Sequence, residues 1–351
     1  MTTFDLLADL PLEVEGYTLQ GLKQQVSSGF ERQTTVVQLH GGGHEGVGED
    51  VVYDSVDQVA MQEAGAVQRL AGRYALGGFC ALIDSLDLFP IEPKRGEVSR
   101  LYRRWTFHSA ALDLALRQAG RPLHEVLGRP AQPVSFVVSL RLGEPASLDP
   151  ISRRLERYPT LRFKLDPTSS WTPELIAALV QTGSVDSLDF KSFYRGTVVD
   201  QEPDPVLYRR VAEAFPDAWL EDPDVITRGT ADALAQDHHR ITWDAPIHSI
   251  ADIEALPFAP RMVNIKPSRI GGLQRLCASY DYCAEHGIGA YGGGQFELGP
   301  GRGQAQYLAS VFHPDTPNDL APSGYNTDDP PPGLPASPLP PTPSDTGFRW
   351  A

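Results

Sequence analysis

From about residue 131 the chain alternates short apolar runs with amphipathic stretches. The strand candidates are VSFVVSL (134–140), LRFKL (161–165), SVDSLDFK (184–191), AWLED (218–222), RITWD (240–244), MVNIKP (262–267) and IGAYGG (288–293). Between them, TPELIAALVQ (172–181), PVLYRRVAEAF (205–215), GGLQRLCASYDYCAEHG (271–287) and RGQAQYLASVF (302–312) read as helices. Alternation at a repeat of about 20–30 residues marks βα units around a parallel sheet. Seven such strands, with an eighth expected near NDLAP (318–322), predict a (β/α) TIM-like barrel over an open sheet. No glycine fingerprint follows the first strand, which argues against a dinucleotide fold.

The first 130 or so residues follow a different pattern. ERQTTVVQLHGGGHEGVGEDVVYD (31–54) places two β-type runs on either side of a glycine-rich turn, a hairpin signal. Helical stretches are expected around 57–75 and around 105–127, the second with Ala111, Leu112, Ala115 and Leu116 at helical spacing. Hairpin and helices together make an α+β unit. GYTLQGLKQQVSSGFE is polar and glycine-bounded and reads as a flexible loop. At the other end, PPPGLPASPLPPTP (330–343) holds eight prolines and excludes a regular helix or strand. Because the chain then closes with Phe348 and Trp350, we expect an extended segment packed on the body.

Composition and charge narrow the function. The 351 residues are 41% hydrophobic and 21% charged, an ordinary globular balance, with 32 glycines and 31 prolines that imply many turns. A net charge of −15 repels phosphate backbones and anionic lipid, so no nucleic-acid or membrane partner is expected. The acidic N-terminus lacks the features of a signal peptide and no apolar stretch is long enough to span a bilayer, so a soluble cytoplasmic protein is expected. Cys80, Cys277 and Cys283 are too few and scattered for a disulfide framework or a zinc site.

One constellation stands above this background. Arg162 and Lys164, Asp189 and Lys191, Glu221, Asp244 and Lys266 fall at or near the C-terminal ends of successive strand candidates, the rim where barrels place their chemistry. Asp189, Glu221 and Asp244 on three consecutive strands would aim three carboxylates at one point. Like charges that close are costly unless a cation neutralises them. An all-oxygen set with room for water and substrate suits Mg²⁺, with Mn²⁺ as the alternative ion. Lys164 and Lys266 lie two strands before and two strands after the middle ligand, hence on opposite sides of the metal. Lysine serves as a base when its pKa falls from about 10.4 towards about 7–8. Arg162, two residues from Lys164 on the same face, and Lys191 on the next strand would both push Lys164 in that direction. With a metal holding a substrate carboxylate, one lysine removes the α-proton through an enediolate, while the other stabilises it or returns a proton.

RFKLD (162–166), LDFK (188–191), LEDP (220–223), TWDAP (242–246) and NIKPSRIGGL (264–273), in that order, resemble the enolase superfamily. The likeness is to the lysine-pair branch that holds muconate-lactonizing enzymes, dipeptide epimerases and o-succinylbenzoate synthases. It implies Lys164 and Lys266 as the catalytic pair and Asp189, Glu221 and Asp244 as metal ligands. The steps between these five positions, 25, 32, 23 and 22 residues, fit a barrel's repeat. The likeness further implies an α+β capping domain over 1–130, the barrel with its site over 131–322, and a proline-rich segment over 323–351. In the family, the loop after strand seven carries a Glu beside the substrate, which points to Glu297, and the stretch matching GYTLQGLKQQVSSGFE closes over it. Homo-oligomerisation is common in such barrels.

This chain departs from the family in places. Lys191 stands where Asn is usual, Ala245 where Glu is usual, and Arg162 where the first lysine of Lys-x-Lys is usual. The expected function is Mg²⁺-dependent α-proton abstraction from a small carboxylate substrate, leading to elimination of water or cycloisomerisation. Racemisation or epimerisation with the same lysine pair is the alternative within the class. A non-catalytic, metal-containing barrel that binds an acidic metabolite is the alternative outside it. Two further motifs are weaker. GGGQFELGPGRG (292–303) could cradle a phosphate at a helix start, and HGGGH (40–44) is a hairpin turn, since no GxSxG elbow accompanies it.

Overall fold

The computed structural model describes residues 1–26, 30–197 and 199–350. The N-terminal unit runs through α1 (Asp5–Ala8), β1 (Pro11–Val14), β2 (Gly16–Gln25), β3 (Glu31–Gly41), β4 (His44–Asp50), α2 (Ser55–Ala64), β5 (Gly72–Ala75), α3 (Leu76–Ser85), α4 (Glu97–Gln118) and α5 (Leu123–Val126). Strands β2, β3 and β4 form one antiparallel sheet, and β1 pairs with β5. The expected hairpin is β3–β4, turning at HGGGH.

The stretch read as a loop is instead mostly strand. β2 pairs with β3 from Gly16↔His40 to Gln25↔Glu31, and only the tip around 27–29 lies outside the described residues. Polar composition misled there because β2 is an edge strand, largely exposed, held by backbone pairing more than by apolar burial. The helix expected over 57–75 stops at Ala64, before Gly65 at a φ of 69°. Helix α4 starts earlier than expected, at Glu97, and buries Leu101 and Tyr102 in its added turns. It lies hard against β4: a Cβ at Gly48 would come within 2.0 Å of the Thr106 carbonyl. Glycine is needed there for close approach.

The remaining elements alternate as predicted: β6 (Val138–Leu140), α6 (Asp149–Arg157), β7 (Phe163–Leu165), α7 (Pro173–Thr182), β8 (Val185–Asp189), α8 (Pro205–Ala214), β9 (Trp219–Glu221), α9 (Arg228–Ala233), β10 (Ile241–Trp243), α10 (Ile250–Glu254), β11 (Met262–Asn264), α11 (Pro267–Ile270), α12 (Leu273–Glu285), β12 (Gly289–Tyr291) and α13 (Pro300–Phe312). Strands β6 to β12 form one parallel sheet in sequence order. The eighth position is filled by 318–319. Asn318 bridges Phe136 ahead of β6, and Asp319 bridges Gly293 beyond β12, both in parallel sense, which closes the ring. Phe163, Leu188, Leu220, Ile241 and Val263 are fully buried, as expected of strands covered on both faces.

The C-terminal segment packs on the body, as expected. Leu339 bridges Val134 at the barrel, and Phe348 is fully buried between Trp105 of α4 and Tyr307 of α13. Among the described residues no helix is long and apolar enough to cross a membrane.

Candidate active site at the barrel mouth

Side chains alternate across a strand, so a residue at the middle of a three-residue barrel strand faces either the interior or the surrounding helices. Lys164, at the middle of β7, faces inward and is 2% exposed. Its ammonium bonds Glu221 Oε1 and lies 3.1 Å from Asp189 Oδ2 and 3.4 Å from Asp319 Oδ2. Across the ring, Lys266 follows β11 at the N-terminal cap of α11, and its Nζ donates to Asp244 Oδ2 at 2.8 Å. Asp189 and Glu221 end β8 and β9, and Asp244 follows β10; all three are buried. The structure thus brings Lys164, Asp189, Glu221, Asp244 and Lys266 to one mouth, four strand positions separating the two lysines.

The lysines differ in electrostatics. Burial alone would lower Lys164, but Glu221, Asp189, Asp319 and Asp244 surround it and hold its pKa well above the ordinary value. The expected lowering of Lys164 is therefore not what this ring of carboxylates produces. Lys266 is lowered by burial, with Arg269 and Lys164 adding repulsion that Asp244 does not offset.

Arg162 is not brought to this site. It shares Lys164's side of the strand but sits two residues nearer the bottom of the barrel, about 7 Å back along the strand. Its guanidinium turns to Asp186, with Nε at 2.9 Å, and to the Gly183 carbonyl. Lys191 is at the mouth. Its Nζ bonds Asp189 Oδ2 and stands 3.8 Å from Asp166 Oδ1. Glu297 lies in the loop after β12, where it accepts from the Gln295 N–H at 2.6 Å and pairs with Arg302 at 3.1 Å. It lines a cavity of about 290 Å³ together with Gln24, Gln25 and Asn326.

Several residues at the mouth went unnoticed in the sequence. Arg269, buried in α11, bonds the Asp244 carbonyl and lies 2.6 Å from Asp244 Oδ1. Tyr291 ends β12 and donates to Glu221 Oε2 at 2.7 Å. Asp222 has its backbone at a φ of 49°, and its carboxylate accepts the N–H groups of Asp244 and Ala245, each at 2.8 Å. Burial and the neighbouring Asp244 and Asp189 push Asp222 up to about 7. Asp166, raised to about 6 chiefly by burial, and Asp319 complete the set. Tyr291 and Asp319 sit at strand ends, so the rule that found the other residues could have found them.

The donor chemistry fits a hard divalent cation. One oxygen from each of Asp189, Glu221 and Asp222, all buried, lies within 4.8 Å of the others. Asp244 stands outside that cluster, its oxygens taken by Lys266 and Arg269.

The phosphate cradle does not form at GGGQFELGPGRG. The N–H groups of Leu298, Gly299 and Gly301 at the start of α13 are already capped by the carboxylate of Glu49, which reaches over from β4.

This architecture is the enolase-superfamily fold: a parallel barrel with an α+β cap and polar residues at the strand ends. A member of the enolase superfamily from Listeria innocua superposes with a TM-score of 0.65 at 19% identity, covering 89% of this chain and 86% of that one. A dipeptide epimerase from Enterococcus faecalis gives a TM-score of 0.68 at 16% identity, covering 97% of this chain and 100% of that one. In sequence, an N-succinylamino acid racemase from an Amycolatopsis species is 30% identical over 226 residues, 62% of this chain and 60% of the relative. An o-succinylbenzoate synthase from Geobacillus stearothermophilus is 28% identical over 227 residues, 62% of this chain and 58% of the relative. The matched stretches thus span about three-fifths of these curated relatives. The chain itself belongs to the family described as a domain of unknown function (DUF8230), whose N-terminal domain matches residues 5–126 and whose C-terminal domain matches residues 130–327.

Proposed function

We propose that this protein is a divalent-metal-assisted enzyme that abstracts the α-proton of a small carboxylate substrate, with Lys164 and Lys266 as the acid/base pair. The carrying observation is the convergence of two buried lysines, four strand positions apart, on one carboxylate cluster. Asp189 and Glu221 would hold Mg²⁺ or Mn²⁺, with Asp244 as third ligand once its carboxylate turns from Lys266 and Arg269. Asp222, the third acid of the cluster, braces the chain at Asp244 through its two backbone hydrogen bonds. The bound ion would draw charge from the substrate carboxylate and acidify its α-proton. Lys266, lowered by burial and by Arg269, is the group best poised to accept that proton. Lys164, on the opposite wall, donates to or receives from the other face. Tyr291 fixes Glu221, and Arg269 fixes Asp244.

Elimination of water or cycloisomerisation follows if one lysine does the proton chemistry; racemisation or epimerisation follows if both do. The relatives include an N-succinylamino acid racemase and an o-succinylbenzoate synthase, so both outcomes stay in the reading. The test is α-deuterium exchange in D₂O with Mg²⁺ across a library of carboxylic acids. Exchange by the wild type that disappears in Lys164→Ala or Lys266→Ala supports the proposal. No exchange with any acid leaves a non-catalytic barrel as the better reading, and unchanged exchange in both variants removes Lys164 and Lys266 from the proton transfer.

A further inference from the structure

Asp189 Oδ2 receives two ammonium groups, Lys164 at 3.1 Å and Lys191 in direct hydrogen-bond contact. A few ångströms away, Asp166 Oδ1 is buried and has no hydrogen-bond partner. Asp166 as a whole is 7% exposed, so water does not readily meet that need. Lys191 Nζ stands 3.8 Å from this oxygen, so a shift of about 1 Å would bring it to hydrogen-bond distance. The backbone of Lys191 sits at a φ of 55°, and its own N–H donates to Asp189 Oδ1 at 3.1 Å. The side chain has a doubly used acceptor on one side and an unused one on the other.

We infer that Lys191 is a displaceable internal counter-ion: it neutralises Asp189 when the metal position is empty and transfers to Asp166 when a divalent cation takes Asp189. This rests on the metal reading above and adds how the site manages its charge. Two consequences follow from one motion. Without metal, the carboxylate cluster keeps a resident cation and needs no ion to remain folded. With metal, binding must first move Lys191, so the ion is held more weakly than the carboxylates alone would hold it. Asp166 lowers that cost by receiving the ammonium.

The experiment is Mg²⁺ titration by calorimetry, paired with thermal melts with and without Mg²⁺, on the full chain. The proteins are the wild type, Lys191→Asn, Asp166→Asn and the double variant, with Lys191→Gln as a second probe should the asparagine variant fold poorly. Lys191→Asn should tighten Mg²⁺ binding by about tenfold or more and lower the melting temperature of the metal-free protein. Asp166→Asn should weaken Mg²⁺ binding about tenfold in the wild-type background but by no more than about threefold once Lys191 is gone. Equal weakening in both backgrounds would mean Asp166 acts only as a nearby negative charge, and the transfer is overturned. So is it if neither lysine variant binds Mg²⁺ more tightly than wild type while the wild type does bind. If no variant, the wild type included, binds Mg²⁺ or Mn²⁺ at millimolar concentration, the metal reading fails and the transfer fails with it.

Discussion

Glu49 links the cap to the barrel through one carboxylate, and removing it has a calculable effect. Its oxygens accept the N–H groups of Leu298 at 2.6 Å, Gly299 at 3.0 Å and Gly301 at 2.9 Å. The first turn of α13, which no residue of its own caps, is thus closed from another domain. Hydrogen bonds to a charged group contribute about 1.5–3 kcal/mol each, and a buried N–H left without a partner costs about 1–3 kcal/mol. Glu49→Ala leaves these three part-buried donors to water in the space vacated, so a loss of about 2–4 kcal/mol is expected. Glu49→Gln keeps an acceptor oxygen in place and should lose about 1–2 kcal/mol. The pH dependence provides a second check. Burial, and then the charge of Glu297, hold the Glu49 carboxyl above its ordinary value. A raised acid stabilises most below its unfolded pKa, and that contribution is lost as pH rises through the folded value. The gap between wild type and Glu49→Gln should therefore narrow as pH climbs from about 4. Urea denaturation followed by fluorescence and by circular dichroism would measure both effects. A midpoint for Glu49→Ala matching wild type, or equal losses in the two variants, would refute the capping role.

Three further predictions test other parts. A Cβ at Gly293 would lie 2.4 Å from Lys266 Cε and 2.8 Å from Asn264 Nδ2. Gly293→Ala should thus displace the lysine end and press on the buried Asn264, abolishing α-deuterium exchange at a stability cost of about 1–3 kcal/mol; retained exchange would show that Lys266 needs no such room. Phe348→Ala removes a fully buried ring from the join between α4 and α13 and should cost about 3–5 kcal/mol in urea melts, with earlier cleavage of the C-terminal segment in limited proteolysis. His313 is buried and lowered to about 4, chiefly by burial, with Asn318 Oδ1 at 2.7 Å and the Tyr280 hydroxyl at 3.2 Å from its ring nitrogens. A depressed folded value means its stabilisation is present above about 6.5 and lost as pH falls towards 4. His313→Gln should flatten the melting-temperature profile over that window.

Much of this protein can be read directly from its residues. Seven apolar runs at barrel spacing, separated by helical stretches, leave few alternatives to a closed parallel sheet, because strands buried on both faces must be apolar throughout. Strand ends carrying Lys164, Asp189, Glu221, Asp244 and Lys266 converge once that sheet closes, since parallel strands present all their C-terminal ends to one rim. What the sequence does not carry is height along a strand, the direction of a long side chain, or the partner it meets there. Arg162 and Lys164 share a face by alternation, yet one faces Asp186 near the barrel's bottom and the other reaches the carboxylate cluster. Strand β2 looked like a loop because its pairing is made by the backbone with β3, and backbone pairing leaves no mark on composition. Tertiary structure alone decided that Asp222 braces Asp244, that Arg269 shares Asp244 with Lys266, and that Lys191 rests on Asp189 with Asp166 within reach. Each of these depends on which charges meet when distant segments pack, and that is set by the geometry of the closed barrel, not by spacing along the chain.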